Sequence, residues 1–240
     1  DMQNMWHKIR NECLREKKMK LVLLRHGESE ANFENYWTGW LDVALTEKGK
    51  EQAAVAGQKM YEAGLQFDAV YTSVLKRAIL TGQAALEEMG QLWLPIVKTW
   101  RLNERHYGDL VGKNKDQMKE IYGKDQVKKW RRGYTEVPPL TAENRFDRRY
   151  DHLDPHLIPY GESLEMTVNR IIPLWQDQLA PKLKDRKDLL VVGHGNSIRA
   201  LTKYLENIPE DQMDTIDIPN AQPIQYTLAD DLTILEKTIL

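Results

Sequence analysis

Two short apolar runs constrain the fold of this 240-residue chain more than any other feature. Residues 21–24 and 189–192 are too short for buried helices, and they consist of the leucines and valines typical of fully buried strands. Helical patterns separate the strand-like segments, and this alternation is typical of βαβ units. Two final strand-like segments, 223–229 and 232–237, flank Asp230 and Asp231 and predict a hairpin. We therefore expect an α/β fold, a three-layer sandwich whose mainly parallel sheet has an antiparallel edge.

Helix start and stop signals place the helices between those strands. The remaining strand-like segments are 67–72 and 94–100, and the predicted helices cover 46–64, 75–89, 114–122, 125–132, 163–183 and 196–207. Thr46 and Ser163 are expected to cap the helices that they open. Pro173 lacks the N–H group that a helix interior needs, so it predicts a kink in the longest of these helices.

Composition excludes several classes of protein. Lysine and arginine number 34 against 36 aspartates and glutamates, and a net charge of −2 does not fit a generally basic nucleic-acid binder. The longest apolar runs fall far short of the ~18 residues that indicate a membrane span. Cys13 is the only cysteine, so no disulfide can form within the chain. We expect a cytoplasmic protein that binds neither nucleic acid nor membranes.

The N-terminal residues differ in pattern from the rest of the chain. Apolar side chains at 2, 5, 6, 9 and 13 follow helical spacing among polar neighbours, which predicts an amphipathic extension over residues 1–19. Such a helix either packs on the body of the protein or contacts a partner. Residues 20–240 show no repeat and no linker, so we expect them to form one domain.

Both buried strands end in a histidine followed by a glycine: Arg25-His26-Gly27 and Gly193-His194-Gly195. In open α/β sheets, ligands bind beyond the carboxyl ends of the strands. We expect each glycine to allow a sharp turn and to leave room for a ligand. Asn196, as an N-cap, would open a helix whose free amide groups and dipole attract anions. The two histidines are therefore expected to converge on one anion-binding site, rather than to be two unrelated structural side chains.

Longer motifs around these histidines resemble the cofactor-dependent phosphoglycerate mutases of the histidine phosphatase superfamily. The Arg-His-Gly signature at 25–27 is accompanied by matching runs at 34–40, 72–78, 100–108, 130–132 and 194–197. The most specific of them is Asn103-Glu104-Arg105-His106-Tyr107-Gly108, and the resemblance extends from Met19 to Thr227. The resemblance implies a phosphoglycerate mutase-like fold and a protein that forms a dimer or tetramer. It also implies the activity of an isomerase in glycolysis and gluconeogenesis, which interconverts 3-phosphoglycerate and 2-phosphoglycerate.

Phosphoryl transfer needs the residue types that the resemblance assigns to this reaction. A neutral imidazole is nucleophilic near neutral pH, and the resemblance makes His26 the nucleophile that 2,3-bisphosphoglycerate phosphorylates. Glu104 matches the general acid and base that the exchanging hydroxyl groups require. His194, Arg25 and Arg77 match the groups that hold the transferring phosphoryl, so that no metal is expected.

The implied substrate is a small, doubly anionic acid. Residues 98–150 contain 14 lysines and arginines against 8 aspartates and glutamates, a local excess of positive charge. By resemblance, the residues that hold the non-reacting end of the substrate are Arg105, Tyr107, Lys115, Arg131 and Arg132. Those that line the phosphoryl pocket are Asn32, Thr38, Gly39 and Asn196.

Other functions use parts of the same residue set. A phosphatase or a bisphosphoglycerate mutase of the same fold would share the nucleophile, although Ser29 after Glu28 resembles the monophosphoglycerate mutases. Many members of the family carry a C-terminal tail longer than the one ending here at Leu240. That tail covers the active site and, by excluding water, suppresses hydrolysis of the phospho-enzyme. A non-catalytic binder of phosphorylated ligands would need neither His26 nor Glu104. A metal hydrolase built on His26, Glu28 and His194 lacks supporting spacing.

Overall fold

The computed structural model describes Met2, Met5 and residues 17–142 and 147–240. The amphipathic extension predicted over residues 1–19 lies almost wholly outside the described residues. Met19, the last residue of that predicted segment, is fully buried and begins the first strand.

The described residues form one six-stranded sheet in the order β3-β2-β4-β1-β5-β6. Its strands are β1 Met19–Arg25, β2 Ala69–Thr72, β3 Ile96–Lys98, β4 Leu189–Gly193, β5 Ile224–Leu228 and β6 Ile234–Ile239. The first four strands in this order run parallel to one another, whereas β5 is antiparallel to β1 and β6 is antiparallel to β5. The predicted mainly parallel sheet with an antiparallel edge is confirmed.

Helices cover both faces of the sheet. They are α1 Glu30–Phe33, α2 Glu47–Glu62, α3 Lys76–Glu88, α4 Lys115–Tyr122, α5 Lys124–Arg132, α6 Leu164–Leu174, α7 Ala180–Lys184 and α8 Gly195–Glu206. Thr46 and Ser163 accept capping hydrogen bonds as predicted. Alternating side chains of β1 and β4 divide between the layers: Leu21 and Leu23 pack with α6 and α8, whereas Val22 and Leu24 pack with α2 and α3. This division is the predicted three-layer sandwich.

Three differences from the sequence-based expectation have a local physical cause. The strand predicted over 94–100 shortens to Ile96–Lys98, because Trp100–Leu102 forms a 3₁₀ turn. The helix predicted over 163–183 is divided by a π-helical turn, Trp175–Leu179. This turn is not at Pro173, because α6 continues past that residue; it lies before Pro181, which has no N–H to bond the Asp177 carbonyl and crowds it. Asn196 is not an N-cap: His194 holds that position, since its backbone N–H donates to Ser197 Oγ.

Candidate active site

Strand register brings the two histidines together. Arg25 pairs with Gly193 at the carboxyl ends of β1 and β4, so the residues that follow them are spatial neighbours. The backbone N–H of His26 donates to the Gly193 carbonyl at 3.0 Å, and the rings of His26 and His194 have centroids 5.0 Å apart. The predicted convergence of these imidazoles is confirmed.

Gly27 serves a purpose other than the one expected from sequence. A methyl group on its Cα would overlap the carbonyl oxygen of Gly49, and one on Gly49 would overlap the carbonyl of Glu28. The space beside Gly27 is therefore filled by the first turn of α2 and not by a ligand. This close approach, together with the 3.1 Å hydrogen bond from Gly27 N to Thr81 Oγ1, fixes the backbone that carries His26.

His26 is held as a neutral nucleophile. Its Nδ1 lies 2.6 Å from the Gly27 carbonyl oxygen, and because a carbonyl only accepts, Nδ1 carries the proton and Nε2 carries the lone pair. Burial, reinforced by the positive charges of Arg77 and Arg25, lowers the pKa of His26 well below its usual value. The imidazole is consequently uncharged at neutral pH, with Nε2 available for attack.

Two buried nitrogen atoms beside this nucleophile have no partner within the described residues: Arg25 Nε and His194 Nδ1. Arg25 uses Nη1 to donate to the Ile218 carbonyl at 2.6 Å, so its guanidinium is fixed while Nε–H remains free. A buried N–H without an acceptor costs about 1–3 kcal/mol. An anion at this position would remove that cost, which makes the strand ends a candidate anion site.

Arg77 combines a structural and an electrostatic contribution. Its guanidinium, 1% exposed, donates to the carbonyls of Leu41 and Gly39 at 2.7 and 2.9 Å. These bonds hold the loop in which Gly39 adopts a φ of 51°, a conformation that favours glycine. Burial lowers the pKa of Arg77 to about 10, so the side chain stays charged at neutral pH and adds positive potential at His26.

Glu104 lies at the N-terminus of α8, with one carboxylate oxygen fixed. Oε1 accepts from Asn196 N at 3.1 Å, from Asn196 Nδ2 at 2.9 Å and from Arg105 N at 2.8 Å. Asn196 Nδ2 also donates to the Tyr107 hydroxyl at 2.8 Å. These bonds occupy one oxygen and leave Oε2 as the group that can exchange a proton with a ligand.

A positively charged pocket opens above these residues, and His26 and His194 lie buried behind its walls. Its lining consists of Arg25, Asn32, Trp37, Thr38, Gly39, Glu104, Tyr107, Lys115, Arg131, Arg132, Gly195, Asn196, Arg199, Asp217 and Ile218. Five of these side chains are cationic and two are anionic. Burial and neighbouring arginines lower the pKa of Lys115 to about 8. The excess of positive charge suits a ligand that carries several negative charges.

The structure brings most of the sequence-predicted site residues to one place. Apart from the buried His26, His194 and Arg77, all of them line the pocket except Arg105. Arg105 is fully buried, and its guanidinium donates to the carbonyls of Glu162 and Glu136 at 2.7 and 2.6 Å. These bonds occupy Nε and Nη2 and support the loop that carries Glu104, while Nη1 is buried without a partner among the described residues. The predicted contact of Arg105 with a ligand stays a prediction.

Several residues of the site were not identified from sequence. Arg199 lines the pocket and donates to Asn196 Oδ1 at 2.9 Å, which orients the amide that holds Glu104. Asn220 donates to the His26 carbonyl at 2.8 Å. The buried pair of Arg170 and Glu162 holds the loop around Glu104. The contacts of Asn220 with His26 and of Arg170 with Glu104 join segments far apart in sequence, and no local spacing indicates them.

The described part of the chain holds neither a metal-binding cluster nor a membrane-spanning helix. No cluster of three or more histidine, cysteine, aspartate or glutamate side chains there is arranged to hold a metal ion. Among the same residues, no helix has the length and apolar character required to cross a membrane.

Comparison with known proteins agrees with this geometry. The profile of the histidine phosphatase superfamily (branch 1) matches residues 21–238. The 2,3-bisphosphoglycerate-dependent phosphoglycerate mutase 2 of Lactiplantibacillus plantarum is 52% identical over 223 residues, which cover 91% of this chain and 97% of that protein. A 2,3-bisphosphoglycerate-dependent phosphoglycerate mutase of Neisseria meningitidis is 49% identical over 227 residues, 92% of this chain and 100% of that protein.

The structural comparison gives the same superfamily. A mycobacterial glucosyl-3-phosphoglycerate phosphatase, solved with VO3, superposes with a TM-score of 0.71 at 26% identity and covers 92% of this chain and 97% of its own. Its identity is about half that of the mutases, which match nearly their whole length. The chain belongs to the histidine phosphatase superfamily and, within it, to the 2,3-bisphosphoglycerate-dependent phosphoglycerate mutases.

Proposed function

We propose that this protein is an isomerase that interconverts 3-phosphoglycerate and 2-phosphoglycerate through a phosphohistidine on His26. The observation that carries the proposal is the pairing of a neutral His26, whose Nε2 is unprotonated, with buried donors that lack an acceptor. A nucleophile and an anion cradle at the same strand ends are the requirements of two-step phosphoryl transfer. The relatives near 50% identity carry the name of this activity.

In the first step, His26 Nε2 attacks phosphorus, and an N–P bond forms while the P–O bond to the donor breaks. The departing oxygen takes a proton from Glu104, which leaves that step as a carboxylate. Arg25 Nε and the positive charge of Arg77 counter the negative charge on the transferring oxygens. Glu104 suits the proton transfer, because the bonds to Oε1 fix the side chain while Oε2 stays available.

In the second step, a hydroxyl group of the bound acid attacks the phosphohistidine, the N–P bond breaks, and the Glu104 carboxylate takes the hydroxyl proton. His26 and Glu104 thereby return to their starting states. Exchange between the two positions requires the acid to present either its 2-oxygen or its 3-oxygen to His26. Lys115, Arg131 and Arg132 can hold the carboxylate and the one phosphate that this acid keeps, in either orientation.

The pocket also fits 2,3-bisphosphoglycerate, a ligand with three anionic groups, since its lining has an excess of cations and Arg25 Nε is a buried donor without an acceptor. Arg25 and Asn32 would face one phosphate, while Lys115, Arg131 and Arg132 would hold the remaining groups. When bound, this compound supplies the phosphoryl group that primes His26. No metal is part of the proposal, because the arginines and Lys115 provide the positive charge. The cytoplasmic location and the dimer or tetramer stay predictions.

Hydrolysis is the second candidate, because a mycobacterial phosphatase shares the fold at 26% identity. One assay separates the two reactions: incubation with 3-phosphoglycerate, with and without a trace of 2,3-bisphosphoglycerate, followed by measurement of 2-phosphoglycerate and free phosphate. The mutase proposal predicts 2-phosphoglycerate whose rate of formation depends on the bisphosphate and is unchanged by a chelator. Free phosphate without the isomer would support the phosphatase instead.

A further inference from the structure

Ser73 joins the second strand of the site to His194. It directly follows β2, is fully buried, and its Oγ lies 2.7 Å from His194 Nε2. The same oxygen accepts the backbone N–H of Leu75 at 3.2 Å. β2 is the parallel neighbour of β4, so the adjacent carboxyl ends of these strands place the Ser73 hydroxyl beside Nε2 of the His194 ring.

The number of donors and acceptors around Ser73 determines the direction of the bond. A serine hydroxyl offers one proton, and no acceptor for it other than His194 Nε2 lies within the described residues. If Nε2 carried a proton, Ser73 Oγ would accept from both Nε2 and Leu75, and its own buried proton would have no acceptor. Donation from Ser73 to Nε2 satisfies both the hydroxyl proton and the Nε2 lone pair, and it requires the ring proton of neutral His194 to be on Nδ1.

His194 Nδ1 is the ring nitrogen that has no partner in the described part of the chain, although it is buried. Burial and the positive charge of Arg77 lower the pKa of His194 well below its usual value, so the free ring is neutral and its tautomer decides what Nδ1 can do. A protonated Nδ1 donates to a phosphoryl oxygen. An unprotonated Nδ1 would direct a lone pair at the same negative oxygen and repel it.

We propose that Ser73 is a positioning residue: its hydroxyl donates to His194 Nε2 and holds the tautomer whose Nδ1–H donates to the transferring phosphoryl group. The proposal rests on the phosphoryl-transfer function given above. Ser73 itself touches neither substrate nor nucleophile, and it acts only through the imidazole. The free donors on His194 and on Arg25 then both point to the same anion.

The test compares Ser73→Ala with Thr167→Val, a matched loss of a buried hydroxyl. Thr167 is fully buried in α6, and its Oγ1 donates to the Ser163 carbonyl at 3.1 Å. Nitrogen-15 NMR of histidine-labelled protein, with His194 assigned through His194→Asn, reports the tautomer without any assay of activity. Steady-state kinetics with 3-phosphoglycerate give kcat and KM for each variant.

The wild type should show His194 protonated at Nδ1 and unprotonated at Nε2, and Ser73→Ala should show a mixture of tautomers. We expect Ser73→Ala to lower kcat about 10–100-fold, somewhat less than the 10²–10³-fold loss typical when a transition-state donor is removed outright. KM should change less than kcat, and Thr167→Val should match the wild type in both the spectrum and kcat.

Two results would overturn the proposal: a wild-type His194 protonated at Nε2, or a kcat for Ser73→Ala equal to that of Thr167→Val. If Ser73→Ala does not fold, the wild-type spectrum alone decides the assignment. Failure of the proposed function is a different outcome, in which the wild type makes no 2-phosphoglycerate while its tautomer can still be read.

Discussion

Replacing Arg170 by methionine should weaken both the fold and catalysis. Arg170 Nε lies 2.7 Å from Glu162 Oε1, and the two side chains are 7% and 3% exposed. Its Nη2 also donates to the carbonyls of Asn103 and Glu104, each at 2.9 Å. Methionine would leave the Glu162 carboxylate buried without a counter-charge, and the loop that carries Glu104 would lose these donors. Breaking a buried pair in this way costs about 3–5 kcal/mol of unfolding free energy.

Urea unfolding of Arg170→Met, Glu162→Gln and the double variant measures this loss. We expect Arg170→Met to lose about 3–5 kcal/mol, and the double variant to lose less than the sum of the single losses by up to about 3 kcal/mol. The kcat of Arg170→Met should fall as well, because Glu104 is held less firmly. Lys119→Met, which removes the exposed pair with Asp116, serves as control and should change stability by less than about 0.5 kcal/mol. Single losses that simply add, or an Arg170→Met loss as small as that of the control, would refute this reasoning.

The remaining predictions concern the nucleophile, the acid and base, and pH. In the Glu104→Gln variant, the new side chain should keep the contacts with Asn196, and His26 should still be labelled by the bisphosphate. The kcat of this variant should fall about 10²–10⁴-fold, because the amide cannot exchange the proton. A kcat equal to that of the wild type would contradict the role assigned to Glu104. Gly27→Ala should lower unfolding free energy by about 1–3 kcal/mol or more, because its methyl overlaps Gly49, and an unchanged Tm would argue against this close approach. His26 and His194 have folded pKa values far below those of the unfolded chain, so each contributes stability that is present above about pH 6.5 and is lost as pH falls. In phosphate-free buffer, unfolding free energy should therefore fall between pH 7 and 5.5 by up to about 1.4 kcal/mol per pH unit for each histidine, and a flat profile would contradict it.

The sequence predicted the fold well because local patterns decide it. The apolar strands, the hairpin at Asp230 and Asp231, and the caps at Thr46 and Ser163 are all readable within a few residues. The helix after β4 begins at Gly195 and not at Asn196, because the backbone of His194 makes the capping bond. That difference depends on the position of a single hydroxyl group, which periodicity does not report.

The candidate site was predicted less completely. His26 and His194 could be matched because each ends an apolar strand in the same way. The bonds from Arg105 to the backbone carbonyls of Glu136 and Glu162 could not be foreseen, because the residues that they join are 31 and 57 positions apart. Ser73 lies within a recognised motif, but its bond to His194 spans 121 positions in the chain. Such contacts depend on which loops meet in space, and only the three-dimensional structure contains that information.

The site of phosphorylation tests the central claim most directly. The protein is mixed with labelled 2,3-bisphosphoglycerate, quenched in alkali to preserve phosphohistidine, and mapped by peptide mass. We predict an acid-labile phosphoryl group on His26 that is absent from His26→Ala. Labelling that persists in His26→Ala, or an acid-stable phosphoester on another residue, would contradict the proposed nucleophile.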